Sequence, residues 1–320
     1  MHRIYPAQPA YQTGHIKTAD LAFDLYYEMY GNPSGLPVIC LHGGPGAGLS
    51  PLMHRFFDLS VFHVMAFDQR GAGRSRPSGA LEANTTELLL EDIQQLADEL
   101  GFKRFILFGG SWGATLSVLY AARHPDQVLG LVLRGAFLAT ESELHWLYGG
   151  GAGVLYPTAW RDFLAPLRDL SDDSLTSILS GYDQLLHSDD SFTKNRAARA
   201  WNLWEYRVAI CDETVGGKTE GGLSESLAMA QIEHHYIHHR CFLEADAVVR
   251  QAADLEGVPG ILVHGACDHV CQVSNADRLK AAWPRLQLVT PSAGGHSAFT
   301  PGMAEALCAA NRQMAALYGY

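Results

Sequence analysis

The residues best able to do chemistry sit in Gly109-Gly110-Ser111-Trp112-Gly113, a serine framed by glycines within FILFGGSWGATLSVLYAARH. An apolar β-rich run precedes it and a helical pattern follows, which places the serine on a strand-to-helix turn. A strained turn of that kind lifts the hydroxyl out of the sheet, and side chains at the flanking glycines would collide with neighbouring backbone. The N-terminus of the following helix favours negative charge developing beside it. Nucleophilic attack on a carbonyl by Ser111 is the chemistry implied. The bland alternative, a glycine-rich turn with an incidental serine, leaves the partners downstream unexplained.

A serine hydroxyl needs a base within hydrogen-bond reach and an acid to hold that base's tautomer, and after such an elbow the acid and then the histidine follow in chain order. Asp268 comes directly after the run GILVHG, and His296 follows the next run in SAGGHSAF, so both are expected at carboxyl ends of strands on the edge that carries Ser111. His264 is expected inside its strand and His269 immediately follows the acid, which leaves His296 as the base. The oxyanion calls for backbone donors. These are expected to be the N–H of Trp112 and a second N–H from HGGPGAG (42–48), with Gly44 the favoured donor. HGGPG also reads as a tight turn after a strand. Asp68 and Arg70, in DQRGAGRS (68–75), are given structural roles because the triad is complete without them.

The elements that must position these residues follow from hydrophobic periodicity. LPVICLHG (36–43), VFHVMAFD (61–68), RFILFGG (104–110) and VLGLVLRG (128–135) read as buried parallel strands. NTTELLLEDIQQLADELG predicts a helix with Asn84 as N-cap, Glu87 three residues on and Gly101 as its stop. A second helix starts just after Ser111 and is closed by Pro125. After Phe137 the strand rhythm disappears for about a hundred residues, replaced by Trp-, Leu- and Tyr-rich helical patterns interrupted by GGGAG and TVGGKTEGG. Strands return as PGILVHG (259–265) and LQLVTPSAGG (286–295), separated by the helical SNADRLKAAW and followed by a C-terminal helix. The pattern predicts the α/β class, a mostly parallel sheet with helices on both faces. Its core is expected at residues 1–137 and 246–320, interrupted by a helical cap at 138–245.

The chain's 320 residues exceed the size at which one core usually stops growing, in line with an insertion. Hydrophobic residues make up 48% and charged residues 18%, a globular and not a disordered profile. A net charge of -11 leaves no basic field for a phosphate backbone, so nucleic acid is excluded as a partner. No apolar leader is evident at the start and no stretch approaches the roughly 20 apolar residues that cross a bilayer, so no membrane partner and a cytoplasmic address are expected. Six scattered cysteines read as mostly reduced core thiols, Cys267 and Cys271 forming only a weak CxxxC. In HHYIHH (234–239), His235 and His239 share a helical face, but without a third ligand a packing or surface role is favoured over a metal. No metal or organic cofactor is expected.

Taken together, HGGPGAG, DQRGAGRS, GGSWGATLSVLYAARHP, AARAWNLWE (197–205), IEHHY (232–236), VHGACD and AGGHSAF resemble the prolyl aminopeptidases, or proline iminopeptidases. These are α/β-hydrolases that remove N-terminal proline from peptides. The likeness runs through most of the chain, and WxxWE and ExHY make it more specific than GxSxG alone. The resemblance implies an α/β-hydrolase fold, Ser111, Asp268 and His296 as triad, and Glu205 and Glu233 as cap carboxylates that receive the substrate's amino terminus. A carboxylate in a partly desolvated cap is an effective cation receptor, and two of them repel until a cation arrives. A proline ring calls for an apolar wall, for which Phe137, Tyr148, Trp201 and Trp204 are candidates. By residue type alone, the two glutamates also fit solvated helix positions and the aromatics fit core. Ala72, Ala114 and the segment ACDHVCQ depart from the familiar pattern and bear on substrate preference, not on the triad. Within this reading, His296 deprotonates Ser111, an acyl-enzyme forms, and water releases proline. The rivals are an esterase or amidase of the same fold with another acyl group, and a non-catalytic ligand receptor.

Overall fold

The computed structural model describes residues 4–167, 170, 172–215 and 227–320. Its frame is an eight-stranded sheet in the order β1-β2-β4-β3-β5-β6-β7-β8. The strands are β1 (Gln12–Lys17), β2 (Asp24–Gly31), β3 (Leu36–Leu41), β4 (Phe62–Phe67), β5 (Phe105–Ser111), β6 (Val128–Ala136), β7 (Gly260–Val263) and β8 (Leu286–Val289). β1, β2 and β4 pair antiparallel; every pair from β4 through β3 to β8 is parallel.

Helices α1 (Thr86–Glu99) and α2 (Trp112–Arg123) precede β5 and β6, respectively. α3 (Glu141–Tyr148), α4 (Pro157–Leu164), α5 (Leu175–Leu186), α6 (Ser191–Ile210) and α7 (Leu227–His238) lie between β6 and β7 along with α8 (Ala247–Ala252). α9 (Val273–Ala282) and α10 (Met303–Ala316) complete the chain. Two apolar clusters sandwich the sheet, one containing Leu107, Leu119 and Leu133 and the other Val38, Phe108 and Val132. The strand and helix runs expected from the sequence are present, with β7 and β8 shorter than their apolar runs suggested. β1 and β2 were not expected: one of their faces meets solvent, so they alternate buried with open residues instead of forming an apolar run.

Two local expectations, the N-cap of α1 and the placement of His264, need correction. The α1 N-cap is Thr85, whose side chain accepts from Leu88 N–H, because Asn84 is otherwise engaged. The Asn84 amide donates to the carbonyls of Arg70 and Ala80 and accepts from Tyr236 Oη. Cys40, Cys241, Cys271 and Cys308 are core thiols, but Cys211 and Cys267 are exposed, Cys211 because it caps α6 in a left-handed conformation at the surface. His264 lies one residue past β7, though its N–H still pairs with Val289 O.

Asp68 and Arg70 do serve the scaffold. Arg70 forms a two-pronged ion pair with Asp92, both bonds 2.7 Å, and Asp68 Oδ1 accepts from Leu49 N–H. Much of TVGGKTEGG falls outside the described residues. Among the described residues no helix is long and apolar enough to cross a membrane, and no group of three or more His, Cys, Asp or Glu is arranged to hold a metal ion.

Candidate active site

Ser111 ends β5 and immediately precedes α2, with φ 55 and ψ −119. The local sequence compels this geometry. A Cβ at Gly109 would lie 2.2 Å from Gly113 O, and one at Gly113 would lie 2.1 Å from Leu41 O, so both positions exclude any side chain. Trp112 is the first residue of α2, and its backbone N–H therefore has no intrahelical acceptor. The loop after β3 runs alongside: a Cβ on Gly43 would be 3.3 Å from that of Ser111.

Asp268 stands in the loop after β7 and His296 in the loop after β8. Asp268 Oδ2 is 2.8 Å from His296 Nδ1, while Oδ1 accepts from the N–H groups of Val270 and Cys271 at 3.0 and 2.9 Å. Burial alone would raise the Asp268 carboxyl, but the charge and hydrogen bond of His296 hold it below its ordinary value. His264 does not compete as base. It is fully buried, its Nδ1 accepting from Ala136 N–H and its Nε2 lying 2.9 Å from Cys271 O.

The His296 backbone is tied to the Ser111 elbow through Arg134. Arg134 Nη1 donates to His296 O at 2.8 Å, and its guanidinium covers Gly110, where a Cβ would come within 2.5 Å of Nη2. Gly135 stands against the imidazole, since a Cβ there would lie 3.0 Å from Nδ1 and Cε1. The next residue, Ala136, is in register with Ser111. The three residues singled out in the sequence thus come from neighbouring parts of one sheet edge.

Ser111 opens onto a small, partly enclosed cavity. Gly44 and Ser111 form its floor; Phe137, Leu144, Leu147, Tyr148, Ile237 and Val270 make apolar walls; Glu143, Glu205 and Glu233 bring carboxyls. Glu205 and Glu233 face each other within hydrogen-bonding reach. Burial pushes both carboxyls above their ordinary value, Glu233 strongly, because it also bears the repulsion of Glu205. Glu233 is stabilised in turn by Trp201 Nε1 at 2.8 Å and by a hydrogen bond from Tyr148. Glu205 as a residue is only partly covered, yet its Oε2 is buried without a hydrogen-bond partner among the described residues.

The structure separates the aromatic candidates. Phe137 and Tyr148 reach the cavity, whereas Trp201 and Trp204 do not line it. Trp201 stacks behind Tyr148 with ring centroids 4.7 Å apart, and Trp204 is buried with its Nε1 on Leu147 O. A larger depression formed by Glu87, Glu91, Asp98, Arg123 and neighbours lies at the opposite end of α2 from Ser111, and nothing there resembles a nucleophile with its base.

Residues 37–302 match the family model described as alpha/beta hydrolase fold. The chain is 40% identical to a proline iminopeptidase of Arabidopsis thaliana, over 98% of this chain and 82% of that one. It is 42% identical to that of Xylella fastidiosa over 97% of this chain and 98% of its relative, and 38% identical to that of Neisseria meningitidis over 95% and 96%. The chain belongs to the proline iminopeptidase family. Among solved structures, an esterase from a Rhodococcus species superposes with a TM-score of 0.63 at 19% identity, covering 95% of this chain and 99% of that one, a likeness of fold alone.

In this member of the proline iminopeptidase family the cavity wall also takes in Glu143, Leu144, Leu147, Ile237 and Val270, and Arg134 holds the His296 backbone, none of them residues that the sequence analysis singles out. Leu144 and Leu147 carried only helical spacing, which core leucines share. Glu143 carried a readable signal, since it stands three residues after Thr140 in a capping box. The Glu143 carboxyl takes the N–H groups of Leu138 and Thr140 and the amide of Asn275, and so fixes the turn beside Phe137.

Proposed function

We propose that this chain is a serine exopeptidase that releases N-terminal proline from peptides through an acyl-enzyme intermediate. The observation that carries the reading is the pair of carboxyls, Glu205 and Glu233, lying against each other in the lining of the cavity that also holds Ser111. A buried pair of that kind is matched to a cation with more than one N–H to donate, which the secondary ammonium of a prolyl terminus supplies. Phe137 and Tyr148 flank the ring. The relatives named proline iminopeptidase support the same substrate class.

In the mechanism, Asp268 holds His296 in the tautomer that presents Nε2 as base, His296 takes the Ser111 proton, and Oγ attacks the prolyl carbonyl. The N–H groups of Trp112 and Gly44 hold the oxyanion. His296 then protonates the departing amine and activates the water that frees proline. Residues 138–245 act as a helical cap on a core of residues 1–137 and 246–320, and bring the carboxyls over the nucleophile. We assign the protein to the cytoplasm, with peptides and neither nucleic acid nor membrane as its partners.

The test is hydrolysis of L-prolyl arylamide by wild type and Glu205→Gln. Turnover that falls in the variant supports the amine-receptor assignment; unchanged turnover refutes it.

A further inference from the structure

The loop that carries Asp268 is gripped on both sides by helices that are not part of the sheet. On one side, Cys211 Sγ, at the end of α6, donates to Cys267 O at 3.2 Å. On the other, His269 is held twice. Its carbonyl accepts from Trp146 Nε1 of α3 at 2.8 Å, and its Nδ1 is hydrogen-bonded to Tyr156 Oη at 2.6 Å. Tyr156 is 6% exposed and immediately precedes α4. The residues bracketing Asp268 are therefore held by the helical layer, His269 through Trp146 and Tyr156 and Cys267 through Cys211, while the carboxylate itself meets His296.

This arrangement has a consequence for the acid. Asp268 Oδ1 is fixed by the N–H groups of Val270 and Cys271, both downstream of His269 in the same tight turn. Any displacement of the backbone at His269 rotates those donors and, with them, the oxygen that meets His296. Ala266 and Cys267, just upstream, are exposed, and their N–H groups donate to Pro291 O and Gly294 O, which ties that side of the turn to the loop that carries His296. The geometry points to His269 as a positioning residue: through Tyr156 and Trp146 it couples the placement of the helical layer to the orientation of Asp268 and so of His296. The inference rests on the proposed role of Asp268 and extends it to residues outside the cavity. Simple satisfaction of a buried tyrosine hydroxyl is the competing explanation, and it predicts an effect on stability without one on turnover.

The experiment compares L-prolyl arylamide kinetics and thermal midpoints for wild type, Tyr156→Phe, His269→Ala, His269→Asn and Asp268→Asn. Tyr156→Phe is isosteric and keeps the ring packing, so it remains informative should His269→Ala not fold. Loss of one hydrogen bond that orients the acid is expected to lower kcat and kcat/KM together by roughly 3- to 10-fold with KM little changed. His269→Asn, which restores an acceptor on a short side chain, is expected to recover most of the loss. A lowered midpoint with unchanged kcat in Tyr156→Phe overturns the inference, as does a rise in KM at constant kcat. Asp268→Asn separates the two levels of the reading. A loss on the order of 10³-fold or more leaves the acid assignment standing whatever Tyr156→Phe does, and retained activity overturns that assignment together with the inference built on it.

Discussion

Glu233 lies against Glu205 in a buried cavity, with Trp201 and Tyr148 donating to Glu233 while Glu205 Oε2 has no donor among the described residues. The asymmetry makes Glu205 the carboxyl with acceptor capacity in hand for a substrate amine. Glu205→Gln is expected to lower kcat/KM for prolyl arylamide by roughly 10- to 100-fold, the scale of one charge-assisted hydrogen bond, and steady-state kinetics reads it directly.

The same pair governs stability against pH. Burial raises both carboxyls above their ordinary value, so the protonated forms are favoured by folding. Their contribution is fully present below that value and is lost as pH rises through the raised folded values. Glu233→Gln removes one ionisable partner. Thermal scans should therefore find the variant more stable than wild type at pH 8, with the difference shrinking on acidification as the wild-type carboxyls take up protons. A difference that grows on acidification would contradict this.

Asp268 has the opposite sign. Its carboxyl is held below the ordinary value, so its contribution is present above the unfolded carboxyl range and is lost as pH falls through the depressed folded value. Asp268→Asn should accordingly flatten the acid limb of the stability profile, as followed by circular dichroism.

Ser111→Ala is expected to abolish turnover, a fall on the order of 10⁶-fold in kcat when a nucleophile is removed, without loss of fold. An organophosphate should label wild type stoichiometrically at Ser111 and leave the variant unlabelled by mass spectrometry. Chelators should have no effect; loss of activity on chelation would overturn the metal-free scheme.

Away from the site, Arg70 and Asp92 are 2% and 1% exposed and paired through both guanidinium prongs. Burial drives the Asp92 carboxyl up to about 6 despite Arg70, so removing the guanidinium strands an acid in an apolar setting. Arg70→Met should cost about 3–5 kcal/mol in denaturant unfolding. kcat below the transition should be unchanged, which separates scaffold from chemistry in a motif next to the active site.

The centre of the sheet was legible because strands buried on both faces, such as β3 with Val38 to Leu41 wholly enclosed, read as continuous apolar runs. β2 was not, because Asp24, Tyr26 and Glu28 alternate with buried residues along a half-solvated strand. The nucleophile, acid and base candidates were legible because each follows a strand run at one sheet edge. The wall of the cavity was only partly so. Tyr148 and Trp201 are both wholly buried aromatics in contact, and nothing in their spacing tells that Tyr148 meets the cavity while Trp201 stacks behind it. The shift of the α1 cap from Asn84 to Thr85 has the same origin, since the competing partner Tyr236 is remote in sequence.

The most direct test of the central claim is a single comparison: turnover of L-prolyl arylamide against N-acetyl-L-prolyl arylamide by the purified protein, with Ser111→Ala as control. Free prolyl amide should be cleaved, the acetylated one should be cleaved negligibly because it lacks the cation that Glu205 and Glu233 await, and the control should be inert. Equal cleavage of both, or cleavage that survives in Ser111→Ala, would contradict the account.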